Sequence, residues 1–581
     1  MQKPIASDRL LGVPGLMETA HRRADLRNLL AIAALWVVMV GLLSPLGDFP
    51  LNDDWTYARS VKTILDSGRF ELLPWSQPTA LPQAYWGALF CRLFGFSFTT
   101  LRFSTLVLGL GGVLVTYLLL RHLKARPSTA LLGATTVAVN PLYFCLSNSF
   151  MTDVPLYFLA VTSLLMLVRG FQRDDPAWLV SGILVSLVAI LQRQLAIVLP
   201  LGFAAAYLWS RRITPRRSAI AVGPLLVGFL LHFLLQQWLE AQGRVPFLST
   251  RDILTAASQN FLPRLAENAV TLLVYTGLFV LPNSLARFDA WLADDSARSP
   301  RRVWLGVGGL IALSLVILWT LPRPMPFSQN VLTYFGFGPL SLRDTYILER
   351  NYPPKAAALA FAWAGVTLLA AVGASLLLDR CWRDGVAAIR GIRARGRGAL
   401  GAVPVLLIAT FSGYVVLIAA VTIAFFDRYL LLCIPFALIA VGENSPVGQS
   451  LRASAFPRFL AWLLVAISAA FSLVAMRDYL AWNGARWEAL ASLTERQGIS
   501  PAVIDGGYEF NGWHMYVPTP LGEVPAGKSW WWVKDDEYVI ASGPLPGYRE
   551  IASYPFERWL LRERSRIAVL QRVGDAPAGT D

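Results

Sequence analysis

Two carboxylates stand side by side at Asp53 and Asp54, directly after the first long apolar run, in FPLNDDWTYARSVKTILDSGRF. One such acid can cap the helix that follows, which contributes about 1 kcal/mol through a backbone N–H. Capping leaves the other acid over. Capping and catalysis both stand for Asp53, with catalysis the preferred reading. Asp54 is read as a first-turn dipole partner or supporting acid. A third acid, Asp153, opens a later apolar run in SNSFMTDVPLYF. Thr152 or Asp153, with Pro155 in the first turn, also makes an ordinary helix start, so capping and catalysis both stand for Asp153.

Two arginines sit at the ends of apolar runs: Arg193 in LQRQ and Arg428 in FFDRYLLL. A charge beside a membrane span must reach water, a partner or an anion. Snorkelling of the stem is one reading, and an Arg428–Asp427 ion pair another. The third is a fork of donors for a phosphate headgroup, which a guanidinium suits geometrically. We prefer the phosphate role for Arg428 and leave Arg193 open between phosphate and interface.

Other chemistries lack their residues. Cys91, Cys145, Cys381 and Cys433 are far apart, with no CxxC and no histidine at ligand spacing, so they are read as unpaired packing residues. No HExxH or nucleotide-binding loop is present. LGLGG near residue 110 lies inside an apolar run, where close helix packing explains it. No cofactor is required; a divalent metal beside Asp53 and Asp153 is chemically permitted, but no ligand spacing demands one.

These residues must be held by membrane spans. Of 581 residues 55% are hydrophobic and 15% charged, with mean hydropathy +0.50. Soluble proteins carry about 25% charged residues. About thirteen apolar runs qualify as spans: 29–46, 100–120, 128–146, 153–168, 177–191, 195–209, 218–238, 269–285, 303–321, 356–378, 400–424, 430–442 and 459–476. The net charge of +14 collects in short arginine-rich loops such as RRITPRR and DRCWRDGVAAIRGIRARGRG. The positive-inside rule places those in the cytoplasm, which excludes nucleic acid as the reason for the charge. The intervening segments, including 47–98, are then extracytoplasmic, and all five site residues fall on that side.

The expected organisation is a cytoplasmic segment 1–28, a transmembrane domain 29–476 with outer loop 47–98, an extracytoplasmic domain 480–575 and a disordered tail 576–581. In the outer loop, Trp55, Ala58, Val61, Ile64 and Leu65 fall at helical spacing, and a second amphipathic helix begins near Gln83. Both are expected to lie in the membrane interface. In 480–575 the stretches PAVIDGG, EYVIAS and SRIAVLQRV read as strands and PLPGY as a turn, so a small α/β domain is expected there. The fold class is mainly α, a polytopic membrane protein with a C-terminal α/β domain outside.

The order and sidedness of these features resemble the GT-C glycosyltransferases, and within them the group of protein O-mannosyltransferases and lipid A aminoarabinose transferases. The residues that carry the likeness are the acidic pair after the first span, LFGFSFTTLRFSTLVLG entering the second, Asp153 opening the fourth, and DRYLL before Pro435. The likeness is strong over about residues 30–210. It implies a sugar donor on a polyprenyl phosphate and inverting transfer to a hydroxyl of a lipid, glycan or protein. It assigns the base to Asp53, a second acid to Asp153 and donor-phosphate binding to Arg428. The chain departs from the group in having Asp-Asp instead of Asp-Glu, and in QPTALPQ, which lacks the Lys or His common in that segment. The location implied is a bacterial inner membrane. The alternatives are a transporter or flippase of lipid-linked sugars and a non-catalytic homologue. A transporter would place charges and broken helices at the midplane, whereas an enzyme would bring Asp53 and Asp153 to one site.

Overall fold

The computed structural model describes residues 14–245, 261–288, 330–353, 357–396, 399–421, 425–442, 455–518 and 531–573, with a few single positions between them. The chain is an integral membrane protein, mostly helical, with a small sheet near its C-terminus. Eight of the described helices are long and apolar enough to cross a membrane. They belong to α1 (Pro14–Leu43), α4 (Phe98–His122), α7 (Asp153–Arg173), α10 (Pro215–Ala241), α11 (Phe261–Leu285), α12 (Ala357–Arg395), α13 (Ala402–Val421) and α15 (Ala455–Ala491). Exposed Leu226, Phe229, Leu230 and Phe233 on α10 give it a lipid-facing surface.

The described residues do not confirm the expected count of thirteen spans: eight helices qualify, or nine if one bent pair forms a single span. Run 128–146 breaks into α5 (Pro127–Ala138) and α6 (Pro141–Ser147), bent by 59°. Pro141 supplies no N–H and disfavours helix at the residue before it, and Asn140 caps the new start by accepting from Tyr143 N–H. Runs 177–191 and 195–209 become α8 (Pro176–Gln192) and α9 (Val198–Ser210), of 17 and 13 residues. Run 430–442 becomes a 3₁₀ turn and α14 (Cys433–Val441), of nine residues. At 1.5 Å per residue that covers about half of a hydrocarbon core about 30 Å thick. Run 303–321 lies outside the described residues.

Small residues let the helices touch backbone to backbone. A Cβ on Gly277 of α11 would lie 2.3 Å from Ala374 N of α12, and one on Gly373 would lie 2.0 Å from Gly277 O. The glycine cluster in α4 instead admits side chains of neighbouring helices, with the Tyr143 phenol donating to Gly109 O at 2.7 Å.

The outer-loop helices differ from expectation in one respect. α2 (Asp54–Ser67) does not present its apolar face to lipid: Trp55, Ala58, Val61 and Ile64 are buried in protein. The partner that covers them comes partly from the far end of the chain, which no local pattern reveals. α3 (Leu81–Phe94) leaves Tyr85, Leu89, Leu93 and Phe94 exposed, as an interfacial helix should.

α15 runs through residues 476–480, so the last span and the C-terminal piece share one helix. Beyond it lie β3 (Ile504–Asp505), α16 (Tyr508–Met515), β4 (Tyr538–Ala541), β5 (Tyr548–Arg558) and β6 (Glu563–Arg572). The strand order is β3-β4-β6-β5, with β3 parallel to β4 and the other pairs antiparallel. β5 was not expected from its polar, Pro555-containing sequence. Its edge position tolerates the proline.

Candidate functional site

The acidic pair is built by a short path from α1 to α2. Arg102, in the LRFS of α4, is buried and donates to the carbonyls of Pro45 at 2.7 Å and Phe49 at 3.2 Å. This pins the chain before Asp53. Asp54 is buried and accepts Leu51 N–H at 2.7 Å and Phe150 N–H at 3.3 Å. Burial raises its pKa well above the ordinary carboxylate value, against the pull of the Phe150 hydrogen bond and the Arg102 charge. Asp54 is thus a strut between the first loop and the segment before Asp153.

Asp53 occupies the position before α2 but makes no capping hydrogen bond. Its two oxygens face different partners. Oδ1 accepts the Tyr508 phenol at 2.5 Å, and Oδ2 lies 3.3 Å from Arg428 Nη1. Its side chain keeps 23% exposure, so Asp53 can be reached from outside the protein.

Arg428 sits in the turn Asp427–Leu432 and packs over Phe426 and Tyr429, 5.0 and 5.8 Å from their centroids. The ion pair with Asp427 considered from sequence is not formed. The Asp427 carboxylate instead accepts Leu332 N–H at 2.7 Å and Val331 N–H at 3.3 Å, holding the start of the short strand β1 (Leu332–Thr333).

Asp153, on the first turn of α7, makes no cap and pairs with Arg193. Arg193 follows α8 and lies 5.0 Å over Tyr429, whose ring is therefore flanked by both arginines. The QPTALPQ segment places that end of α8. Ala80 N–H donates to Gln192 O at 3.0 Å, and Gln192 Nε2 donates to Gln83 Oε1 at 2.7 Å. A segment without a basic residue still positions a basic one.

The structure brings Asp53, Asp153, Arg193 and Arg428 to one end of the bundle, with Arg428 in electrostatic reach of both acids. Asp54 lies behind them. Two buried polar atoms at the site, Arg428 Nε and Asp153 Oδ2, have no hydrogen-bond partner. Such atoms are costly and suit an incoming ligand. The cluster can bind an anion beside a carboxylate. Among the described residues no group of three or more His, Cys, Asp or Glu side chains is gathered that could hold a metal ion.

Sequence reasoning missed Tyr508 and Tyr429. Tyr429 was visible only as part of DRYLL. Tyr508 had a local signal in the GGYEFNG turn: Gly507 adopts φ +86°, and a Cβ there would lie 2.4 Å from Ser341 O. Only glycine fits this corner, which aims Tyr508 at Asp53.

Residues 78–236 match the dolichyl-phosphate-mannose-protein mannosyltransferase family. An uncharacterized protein of Aquifex aeolicus (strain VF5) is 29% identical over 187 residues, which are 31% of this chain and 37% of the relative. The chain is thus matched over little more than a third of that relative's length. Among solved structures, the apo Archaeoglobus fulgidus oligosaccharyltransferase is similar with a TM-score of 0.43 and 14% identity, over 81% of this chain and 58% of its own. ArnT from Cupriavidus metallidurans bound to undecaprenyl phosphate is similar with a TM-score of 0.37 and 16% identity, over 94% of this chain and 97% of its own.

Proposed function

We propose that this protein is an inverting glycosyltransferase, moving a sugar from a polyprenyl-phosphate donor to a hydroxyl of a lipid, glycan or protein. The observation that carries this reading is the Asp53 carboxylate 3.3 Å from the Arg428 guanidinium, with the Asp153–Arg193 pair beside it. The family match over residues 78–236 supports it, because that stretch includes Asp153 and Arg193.

The acceptor oxygen attacks the anomeric carbon, and the bond from that carbon to the donor phosphate breaks. The phosphate leaves with the bonding electrons. Arg428, through its free Nε–H, and Arg193 bind its developing charge, which is the main electrostatic need when the leaving group is already a phosphate. Asp53 takes the acceptor's proton. One displacement inverts the anomeric centre. Asp153 neutralises and orients Arg193. No step needs a cofactor.

The prenyl chain needs apolar surface next to this site. A cavity of about 260 Å³ between α5, α6, α11, α12 and α15 is lined by Leu278, Trp363 and Phe471 and reaches Leu332. The Leu332 N–H is bound by Asp427, the neighbour of Arg428. The arginine-rich loops support an outer-face site, in a bacterial inner membrane by this reading, with the C-terminal piece on the same side.

The test is release of prenyl phosphate from a panel of polyprenyl-phosphate sugars by the purified chain in nanodiscs. Undecaprenyl phosphate serves as the binding probe. Absence of probe binding together with absence of turnover on every donor would refute the reading.

A further inference from the structure

We propose that Tyr508 is a positioning residue for Asp53, so that the C-terminal piece forms part of the active site. This rests on Asp53 acting as the base. The Tyr508 oxygen lies 2.5 Å from Asp53 Oδ1, and Trp75 Nε1 lies 2.6 Å from the same oxygen. An indole N–H only donates, and an ionised carboxylate only accepts. The direction of the chain is therefore set: Trp75 donates to Tyr508, and Tyr508 donates to Asp53.

The surroundings keep it so. Trp55, Trp75, Trp531 and Trp532 pack around the Tyr508 ring, with centroids 5.7 to 6.1 Å away. Burial first, and the Asp53 charge second, push the phenol well above its ordinary pKa, so it stays a donor. Low polarity strengthens the O–H···O⁻ contact. Oδ1 is thereby occupied and Oδ2 is turned towards Arg428, where the donor phosphate would sit.

The backbone of α16 is anchored separately. Tyr508 N–H donates to Ser341 O at 3.0 Å, and Glu509 forms a fully buried pair with Arg486 at 2.7 Å. Removal of the phenol oxygen should leave the helix docked.

Arg428 faces Asp53 at 3.3 Å and also feels Asp153, which pairs with Arg193, while the phenols of Tyr57 and Tyr346 feel the Asp53 charge. Glu509 approaches from α16 through Asn52 N–H. All of these remain in Tyr508→Phe. A hydrogen bond changes the stretching frequency of the carboxylate that accepts it, so its loss must move the Asp53 band.

The experiment is infrared difference spectroscopy of the full chain in nanodiscs at one fixed pH, following the Asp53 carboxylate band identified by its disappearance in Asp53→Asn. Tyr508→Phe should shift that band and lower kcat by about ten- to a hundredfold, the loss of one hydrogen bond to a charged group. Undecaprenyl phosphate binding and the melting temperature should stay near wild type. Trp75→Phe should give a smaller shift of the same sign, and it carries the test if Tyr508→Phe does not fold. An unmoved Asp53 band in the folded variant would overturn the proposal, with or without a drop in melting temperature. Transfer retained by Asp53→Asn would instead refute Asp53 as the base, while the infrared shift would still report the contact.

Discussion

The carboxylate of Asp153 and the guanidinium of Arg193 form an ion pair in which the two side chains are 3% and 6% exposed. Neither charge has water to fall back on. Removing one partner of a buried pair costs about 3–5 kcal/mol, because the other charge stays buried alone. Asp153→Asn should therefore lower the melting temperature and the activity together. Asp153→Asn with Arg193→Gln should recover part of the stability and none of the activity. A double variant with normal transfer would remove this pair from the site.

Asp53→Asn makes a contrasting case. Asp53 caps nothing in α2, so the fold should survive with little change in melting temperature. Loss of a general base typically costs about 10²–10⁴ in rate, and transfer should fall by that order. Asp54→Asn should do the reverse. It turns an amide N–H₂ towards a buried backbone N–H, either of Leu51 or of Phe150, and should cost stability by about 1–3 kcal/mol. Equal loss of activity in two equally stable variants would contradict this division of labour.

Arg428→Ala should weaken undecaprenyl phosphate binding by about ten- to a hundredfold, the loss of one charge-assisted hydrogen bond. Arg428→Lys should restore it only in part, since an ammonium cannot present two parallel donors. Asp427→Ala should act on stability instead, through the freed Leu332 and Val331 N–H groups. Titration of the probe alongside melting curves separates the two. Unchanged probe affinity in folded Arg428→Ala would exclude this arginine from donor binding.

Asp344 ties the segment after β2 (Gly336–Phe337) to the C-terminal sheet. It accepts Ser542 N–H at 2.8 Å and Asn351 Nδ2–H at 3.1 Å. Burial raises its pKa to about 6 from the ordinary 3.8, with the hydrogen bonds opposing the shift. The folded state therefore holds its proton more tightly than the unfolded state. Its stabilising contribution is fully present below about pH 4 and is lost as pH rises through about 6. Melting temperature followed from pH 4 to 7 should show this decline, and Asp344→Asn should flatten it. An unchanged slope in Asp344→Asn would assign the dependence to other acids, such as Asp505, which burial shifts the same way.

Reporter fusions at Arg395 and Gly543 should lie on opposite sides of the membrane, cytoplasmic and extracytoplasmic. The same side for both would break the link between the basic loops and the placement of the site.

The mainly helical membrane fold was legible in the sequence, because spans are written as long apolar runs and need no distant partner for their backbone hydrogen bonds. The acids and arginines were legible too, since a charge at the end of such a run needs a reason. Even the break at Pro141 carried a local signal, and so did the corner at Gly507. Partner choice carried none. The neighbour Asp427 was the obvious mate for Arg428, yet the structure gives Arg428 to Asp53, 375 residues away in sequence, and gives Asp427 to a backbone strand. The apolar face of α2 looked like a lipid surface until α16 covered it. Tyr508 reaches Asp53 across 455 residues. Periodicity and charge report what a residue needs, while the tertiary fold decides which of several chemically equivalent groups arrives to meet that need.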